Sequence, residues 1–243
     1  MASERGYQRA LSLERLQINS NQKIIRTGLS ATIGNTDDAA QFLVGTKKPC
    51  KIIKDESVRK YEVEVKFVGG SISEVADSII EYVEKLNLNS PSLLFTNTRG
   101  ESEFLASILR DKTMMNIELH HGSLSKQVRE ETEGILRSGN RGIVVCTSSL
   151  ELGLDIGSVE LVIHYGSPRQ ATKLIQRIGR SRHSRNSSAR GLIITNNSDD
   201  EFETTAILDR VKNNSIEKQN IHDESFDVLA HHLVGLSMQI GEV

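Results

Sequence analysis

The chain has 243 residues, of which 37% are hydrophobic and 26% are charged, and its formal net charge is −2. This composition is typical of a globular protein, and the length allows one large domain or two small ones. No apolar run approaches the roughly 20 residues that span a bilayer, and the N-terminus has no apolar signal region. We therefore expect a cytoplasmic protein whose two cysteines, Cys50 and Cys146, are buried free thiols.

Segments with the period of a strand alternate with segments that have the period of a helix. In chain order, strands are predicted at residues 23–29, 61–68, 92–96, 117–120, 142–146, 159–163 and 191–195. Helices are predicted at residues 5–16, 71–86, 100–110, 125–137, from Pro168 onward, 199–211 and 223–238.

The ends of these elements carry recognisable signals. Ser125 is a candidate N-cap and Gly139 a candidate stop for the helix between them. Strict alternation over residues 61–68 predicts a strand that is half exposed or at an edge of the sheet. The alternation of strands and helices predicts a three-layer α/β/α fold with a mainly parallel sheet, in which ligands gather at the C-terminal ends of the strands.

Positive charge is concentrated in one part of the chain. Residues 161–198 contain no Asp or Glu, and their basic residues are Arg169, Lys173, Arg177, Arg180, Arg182, Arg185 and Arg190. This favours a surface that faces phosphate, although charge alone fits a solvated face equally well.

Three polar segments follow predicted strands. They are Ser30-Ala31-Thr32, the Phe-Thr-Asn-Thr-Arg segment at 95–99, and the His-His-Gly-Ser segment at 120–123. Hydroxyls, amides and helix N-termini donate hydrogen bonds to phosphate oxygens, but each segment alone also fits an ordinary helix cap. Adjacent histidines on a strand point to opposite faces and cannot easily bind one ion, so no metal site is predicted.

A fourth segment, residues 147–157, leaves an apolar strand with hydroxyl groups and continues to a glycine and an aspartate. The hydroxyls of Thr147 and Ser148 suit a phosphodiester, and Gly153 permits close backbone approach to a ligand. Asp155 can accept from a ribose hydroxyl or orient an arginine. The competing interpretation is a capped loop with structural glycines.

The fifth segment is Gln176-Arg177-Ile178-Gly179-Arg180. Its three long polar side chains lie on about one helical turn, so their heads can converge. Fixed guanidinium groups neutralise the charge that develops on a phosphoryl group during its transfer. The segment therefore indicates a site for ATP chemistry.

In this order the five segments resemble motifs III to VI of superfamily 2 helicases. Their residue sequences resemble those of the Lhr (large helicase-related) ATP-dependent helicases. The resemblance implies a RecA-like fold of the P-loop NTPase type without its own P-loop. It implies the tail of a first RecA-like domain at residues 1–35, the second RecA-like domain at 36–212, and a linker with the first helix of a winged-helix domain at 213–243.

The resemblance also implies residue roles. Arg180 would be the arginine finger that reaches ATP on the partner domain, supported by Arg177 and Gln176. Gly153 and Asp155 would face the nucleotide, and Ser30 and Thr32 would couple the ATP state to domain movement. The phosphates of one strand would contact Thr96, Asn97, Arg99, Gly122, Ser123, Thr147 and Ser148.

Two departures from the family pattern stand beside these roles. Many relatives have a second arginine where this chain has His183 and a glycine where it has Arg182, so a second finger is unassigned. The sequence also has no G-x-x-x-x-G-K-[ST] phosphate loop. The resemblance therefore implies that ATP and Mg²⁺ are bound mainly by a first domain upstream of Met1, and that this chain alone does not hydrolyse ATP.

The implied partners are single-stranded or partly duplex nucleic acid and the flanking domains of the same protein, with no membrane. Two alternatives remain: a nucleic-acid-binding or scaffold domain of helicase descent without motor activity, and a nucleotide-binding α/β enzyme such as a small-molecule ligase. DNA or RNA, and unwinding, annealing or repair, are left open by the sequence.

Overall fold

The computed structural model describes residues 4–30, 33–45, 48–54, 60–151, 159–181, 188–218, 221 and 224–241. It divides the chain into two compact units. One unit is Ser57–Ser215, and the other combines Met1–Glu56 with Ile216–Val243. The three-part division expected from the sequence stays a prediction.

The larger unit is built on a sheet whose six strands are all parallel. The strands are β1 (Tyr61–Phe67), β2 (Ser92–Phe95), β3 (Asn116–His120), β4 (Gly142–Cys146), β5 (Leu161–Tyr165) and β6 (Ala189–Thr195). Their order in the sheet is β1-β6-β5-β2-β4-β3. β1 lies at an edge, as its alternation predicts. The central strands β2, β4 and β5 are buried along their whole length, which is why they are continuous apolar runs.

Eight α-helices lie within the described part of the chain. They are α1 (Glu4–Ile18), α2 (Thr36–Val44), α3 (Ile72–Leu86), α4 (Arg99–Lys112), α5 (Lys126–Ser138), α6 (Ala171–Ile178), α7 (Ser198–Lys212) and α8 (Phe226–Ile240).

Helices cover both faces of the sheet because successive strand residues point to opposite sides. Leu94 packs into a core with α3 and α4, which supply Val75 and Leu105 among others. Its neighbour Phe95 packs into a second core with α5, α6 and α7, which supply residues such as Leu174. The predicted three-layer α/β/α fold with a parallel sheet is therefore confirmed.

The predicted ends of α5 are also confirmed. The Ser125 hydroxyl accepts a hydrogen bond from the backbone N–H of Val128 at 3.3 Å. Gly139 ends the helix with φ +72°, a left-handed conformation that glycine adopts without strain. α5 therefore begins immediately after the loop that follows β3.

Several sequence expectations are wrong. Residues 23–29 form no strand, because their backbone pairs with no neighbouring strand of the described structure; instead Ile24 N–H donates to the Gln17 side chain, and the Arg26 guanidinium donates to the carbonyls of Leu13 and Leu43. Helix α2 was not predicted. Cys50 is exposed in an irregular segment, whereas Cys146 is buried in β4 as expected.

Helix α6 starts three residues later than the sequence suggests, at Ala171 with Gln170 as its N-cap. The reason lies in Arg169, whose φ of +65° is left-handed and incompatible with a continuous right-handed helix from Pro168. Arg169 is held there by ion pairs with Asp200 at 3.1 Å and Glu203 at 2.7 Å, both on α7.

The smaller unit contains α1, α2 and α8. Arg15 on α1 donates hydrogen bonds to the Gly235 carbonyl at 3.4 Å and to Gln239 at 3.0 Å, both on α8. Tyr7 on α1 packs edge-to-face against Phe42 on α2, with ring centroids 5.3 Å apart. Among the described residues, no helix has the length and apolar character needed to cross a bilayer.

Candidate functional site

Four loops meet at the C-terminal edge of the sheet because β5, β2, β4 and β3 are neighbours in it. Hydrogen bonds join two of these loops to the ends of neighbouring strands. The Thr96 N–H donates to the Cys146 carbonyl at 2.9 Å, and the Thr147 N–H donates to the His120 carbonyl at 3.4 Å. The edge therefore gathers most of the segments singled out in the sequence, at the place where parallel α/β sheets bind ligands.

Most of the residues expected to contact nucleic acid lie on the outside of this edge. Thr147 is half-buried, and the exposed ones are Asn97, Arg99, Gly122, Ser123 and Ser148. A Cβ atom added to Gly122 would meet nothing within 4 Å, so the space beside it is open. These loops could approach the backbone of a strand without rearrangement of the sheet.

Thr96 differs from the rest of this group. It is 1% exposed, and its hydroxyl donates to the Thr98 carbonyl at 3.0 Å. A contact between this hydroxyl and a phosphate would require Thr96 to leave that bond. In the structure Thr96 shapes the start of α4, where Thr98 caps the helix by accepting from the Glu101 N–H.

Asn97 links two of the loops. Its side-chain amide donates to the Ser167 carbonyl at 2.9 Å, and its backbone N–H donates to the Glu101 carboxylate at 3.1 Å. The loop after β2 is thereby fixed to the loop after β5.

Arg177 is buried, which its place in an arginine-rich segment does not reveal. Only 3% of it is exposed, and its Nε–H and Nη2–H both donate to Glu151 Oε2, at 3.1 and 3.0 Å. Its guanidinium also lies 5.0 Å from the centre of the Phe95 ring, within the range of a cation–π contact. Arg177 therefore points into the protein, where a carboxylate neutralises it.

His164 on β5 completes this buried cluster. Its Nε2 bonds to Arg177 Nη1, and its Nδ1 lies 2.9 Å from the Gly166 carbonyl oxygen. Burial, followed by the positive charge of Arg177, lowers the pKa of His164 to about 3. The neutral ring therefore donates from Nδ1 to Gly166 and accepts at Nε2 from Arg177.

Arg180 follows α6 and is half-buried at the same edge. Its Nη2–H and Nε–H donate to the backbone carbonyl of Glu151, at 2.8 and 3.3 Å. Burial lowers the pKa of Arg180, and the nearby Glu151 acts against that shift. Gln176 is also half-buried. The side chains of Arg177 and Arg180 thus converge as predicted, and both contact the same residue, Glu151.

Other arginines of the acid-free segment are paired as well. Arg169 bonds to Asp200 and Glu203, and Arg190 lies 3.9 Å from Glu62. The local surface is therefore less positive than the sequence suggests, because the balancing carboxylates come from other parts of the fold.

The two adjacent histidines have separate surroundings. His120 Nδ1 lies 2.8 Å from the Ser149 hydroxyl and its Nε2 lies 3.4 Å from Glu133. His121 Nε2 lies 3.1 Å from Glu103, but not in the alignment of a hydrogen bond. Burial lowers the pKa of His120, although Glu133 acts in the other direction.

Some predicted site residues fall outside the described residues. These are Thr32, Gly153 and Asp155; Arg182 and His183, which were given no role, also lie outside the described residues. Ser30 is exposed, and the strand expected before it is absent from the described structure. The roles of Ser30, Thr32, Gly153 and Asp155 stay predictions.

The sequence reasoning did not give Glu151 or His164 a role. A signal for Glu151 was nevertheless available. Arg177 lies between Leu174 and Ile178 in the helical pattern and would be buried with them, yet its own segment offers no acidic partner. A buried arginine needs a carboxylate, and Glu151 stands close to the apolar strand that precedes it.

Comparisons with known proteins agree with this architecture. The family model of the helicase conserved C-terminal domain matches residues 74–184. The ATP-dependent helicase Lhr-Core of Methanocaldococcus jannaschii is 38% identical over 247 residues, which cover 98% of this chain and 29% of that protein. This chain therefore spans less than a third of the length of that relative.

Solved structures give the same result. The structure of Mycobacterium smegmatis helicase Lhr bound to ssDNA and AMP-PNP matches with a TM-score of 0.86 and 32% identity, over 98% of this chain and 32% of that one. Helicase MrfA bound to DNA and AMPPNP matches with a TM-score of 0.76 over 93% of this chain and 33% of that one. At 23% identity, that second likeness shows the fold alone. With a helicase C-terminal domain and relatives aligned over nearly its whole length, the chain belongs to the Lhr family of helicases.

Proposed function

We propose that this chain is the second RecA-like motor domain of an ATP-dependent nucleic-acid helicase, and that Arg180 is its arginine finger. The observation that carries the proposal is the position of Arg180. Arg180 is half-buried, and its guanidinium is anchored to the backbone carbonyl of Glu151, in the loop that leaves the C-terminal end of β4. A guanidinium held in this way can stabilise charge on a phosphoryl group supplied by a neighbouring domain.

The exposed loops supply the second half of the proposal. Asn97, Arg99, Gly122, Ser123 and Ser148 present amide, guanidinium, backbone and hydroxyl donors, which suit the phosphates of a single strand. The likeness to a helicase solved with ssDNA and AMP-PNP supports both ligands. Closure of the domains over ATP would then shift the grip on the strand, so that hydrolysis drives translocation.

ATP and Mg²⁺ would be bound mainly by the first RecA-like domain. Within the described residues, no group of three or more His, Cys, Asp or Glu side chains could hold a metal ion. The flanking RecA-like and winged-helix domains are the proposed intramolecular partners. A cytoplasmic location, where ATP and nucleic acid are both available, belongs to the same proposal.

The test is strand-stimulated ATP hydrolysis by the full-length protein with Arg180→Ala. Loss of the finger should lower kcat on the order of 10³-fold, while single-strand affinity stays within about twofold. Arg210→Ala, in the last turn of α7, is the matched control and should hydrolyse ATP like the wild type. An unchanged kcat in the Arg180 variant would refute the finger and favour a nucleic-acid-binding domain without motor activity. ATP turnover by the 243-residue chain alone would contradict the placement of the ATP site in another domain.

A further inference from the structure

We propose that Glu151 is the positioning residue for Arg180, and that it acts through both its side chain and its backbone. This inference rests on the proposed finger function of Arg180. It adds that the residue after the short 3₁₀ turn Ser148–Leu150 determines where the finger is held.

The first contact is made by the Glu151 carboxylate. The Nε–H and Nη2–H groups of Arg177 donate to its Oε2 atom, at 3.1 and 3.0 Å. Both side chains are buried, since Glu151 is 7% exposed and Arg177 is 3% exposed. A buried ion pair of this kind resists separation because either charge alone would be left uncompensated. The pair therefore fixes the loop after β4 to helix α6.

The second contact is made by the Glu151 backbone. Its carbonyl oxygen accepts from Arg180 Nη2 at 2.8 Å and Nε at 3.3 Å. Arg177 and Arg180 are three residues apart and point toward the same side of the helix end. One residue thus holds the buried arginine by its carboxylate and the half-buried arginine by its carbonyl.

Phe95 and His164 keep this arrangement rigid. The Arg177 guanidinium lies 5.0 Å from the centre of the Phe95 ring, and its Nη1 is bonded to His164. His164 is in turn fixed by the Gly166 carbonyl at 2.9 Å. Arg177 therefore has contacts on Nε, Nη1 and Nη2, and it leaves Glu151 little freedom to move.

A structural ion pair and a positioning residue predict different kinetics. If Glu151 only stabilises the fold, its loss lowers the amount of folded protein but not the turnover of the folded fraction. If it positions Arg180, its loss lowers kcat, because small misplacements of a catalytic group cost large factors in rate. The loss of kcat caused by changing Glu151 should also be smaller in a variant in which Arg180 is already replaced.

The experiment is a double-mutant cycle in the full-length protein with Glu151→Gln and Arg180→Lys. The readout is ATP hydrolysis at saturating single-stranded DNA, normalised to folded protein. Glu151→Gln alone should lower kcat on the order of 10- to 100-fold, with the KM for ATP and the strand affinity within about twofold. In the Arg180→Lys background the same change should cost less than about threefold, since the two effects are coupled. Asp77→Asn, which removes a carboxylate paired with Lys112 at 2.7 Å, away from the site, should leave kcat unchanged.

The outcomes separate the two proposals. Wild-type turnover by Arg180→Lys and Arg180→Ala would refute the finger itself. A slow Arg180→Lys with a normal Glu151→Gln, or equal losses from Glu151→Gln in both backgrounds, would overturn only the positioning role. If Glu151→Gln does not fold, Glu151→Gln combined with Arg177→Gln removes both buried charges. That pair should fold and hydrolyse ATP slowly, and wild-type turnover by it would overturn the role of Glu151.

Discussion

His164 and Arg177 are joined by a hydrogen bond that only the neutral form of the histidine can make. Arg177 is always a donor, so the bonded Nε2 atom of His164 must be the acceptor. The other ring nitrogen then donates to Gly166. Protonation of His164 would place two cations in contact inside the protein, and this is why Arg177 acts with burial to lower the histidine pKa to about 3.

We predict a specific dependence of stability on pH from this histidine. The unfolded chain binds a proton on His164 below about pH 6.5, whereas the folded protein resists protonation down to about pH 3. The free energy of unfolding should therefore fall as pH drops from about 6.5 to about 3, by about 1.4 kcal/mol per pH unit, and should not depend on this group above that window.

The measurement is urea unfolding of the chain at pH 7 and pH 5, for the wild type and His164→Gln. The variant should lose about 2 kcal/mol less than the wild type between these pH values. His231→Gln replaces an exposed histidine on α8 and should keep the wild-type slope. Equal slopes for wild type and His164→Gln would show that His164 is not buried in its neutral form.

Removal of the Glu151 carboxylate should strongly destabilise the fold. Glu151→Ala leaves the Arg177 guanidinium buried without its counter-ion, which costs about 3–5 kcal/mol. The double variant Glu151→Met/Arg177→Met removes both charges and should be more stable than Glu151→Ala in urea unfolding. If the double variant were the less stable of the two, Arg177 would have to find another partner in the single variant.

Gly166 should not tolerate a side chain. Its φ is +77°, and an added Cβ would lie 3.1 Å from Asp200 Oδ2 and 3.4 Å from Asn97 Nδ2. Gly166→Ala should therefore lower the free energy of unfolding by about 1–2 kcal/mol. Gly134→Ala is the matched control, because that glycine lies inside α5 with open space around it and the change should stabilise the chain by up to about 1 kcal/mol. Thermal unfolding of both variants tests whether Gly166→Ala lowers and Gly134→Ala raises the free energy of unfolding.

Arg99 should contribute one phosphate contact to strand binding. In a salt titration of the full-length protein on single-stranded DNA, Arg99→Ala should reduce the slope of log K against log salt by about 0.7. Lys112→Ala removes the same charge from the other end of α4, where it pairs with Asp77 at 2.7 Å, and should leave the slope unchanged. Equal slopes for both variants would place Arg99 outside the strand interface.

The sheet was predictable because its signals are local. The buried strands are short apolar runs bounded by polar turns, and α5 is bounded by Ser125 and Gly139, which cap it in the structure. The unpredicted features depend on tertiary contacts. The late start of α6 follows from the pairing of Arg169 with α7, and residues 23–29, as the structure describes them, lack the backbone pairing with a neighbouring strand that their local pattern cannot supply.

The site was predictable as a set of loops but not as a network of contacts. Parallel strands bring their C-terminal ends to one edge, so segments such as 95–99 and 120–123 could be placed together from sequence. The helical pattern indicates that Arg177 is buried and needs a carboxylate, but only the fold identifies that carboxylate as Glu151, which is 26 residues away along the chain and belongs to another loop. The sequence shows how many basic residues a segment contains, but burial and ion pairing determine how positive the protein surface is there.

The pairing of Arg169, Arg177 and Arg190 with carboxylates has a consequence for how a polyanion meets this part of the protein. The charges of these three arginines are balanced locally, so they add little attraction at distances beyond a Debye length, and recognition relies more on short-range donors around the loops. Contacts of that kind form and break quickly, which would suit the proposed motor, since translocation requires the nucleic acid to be released at every step.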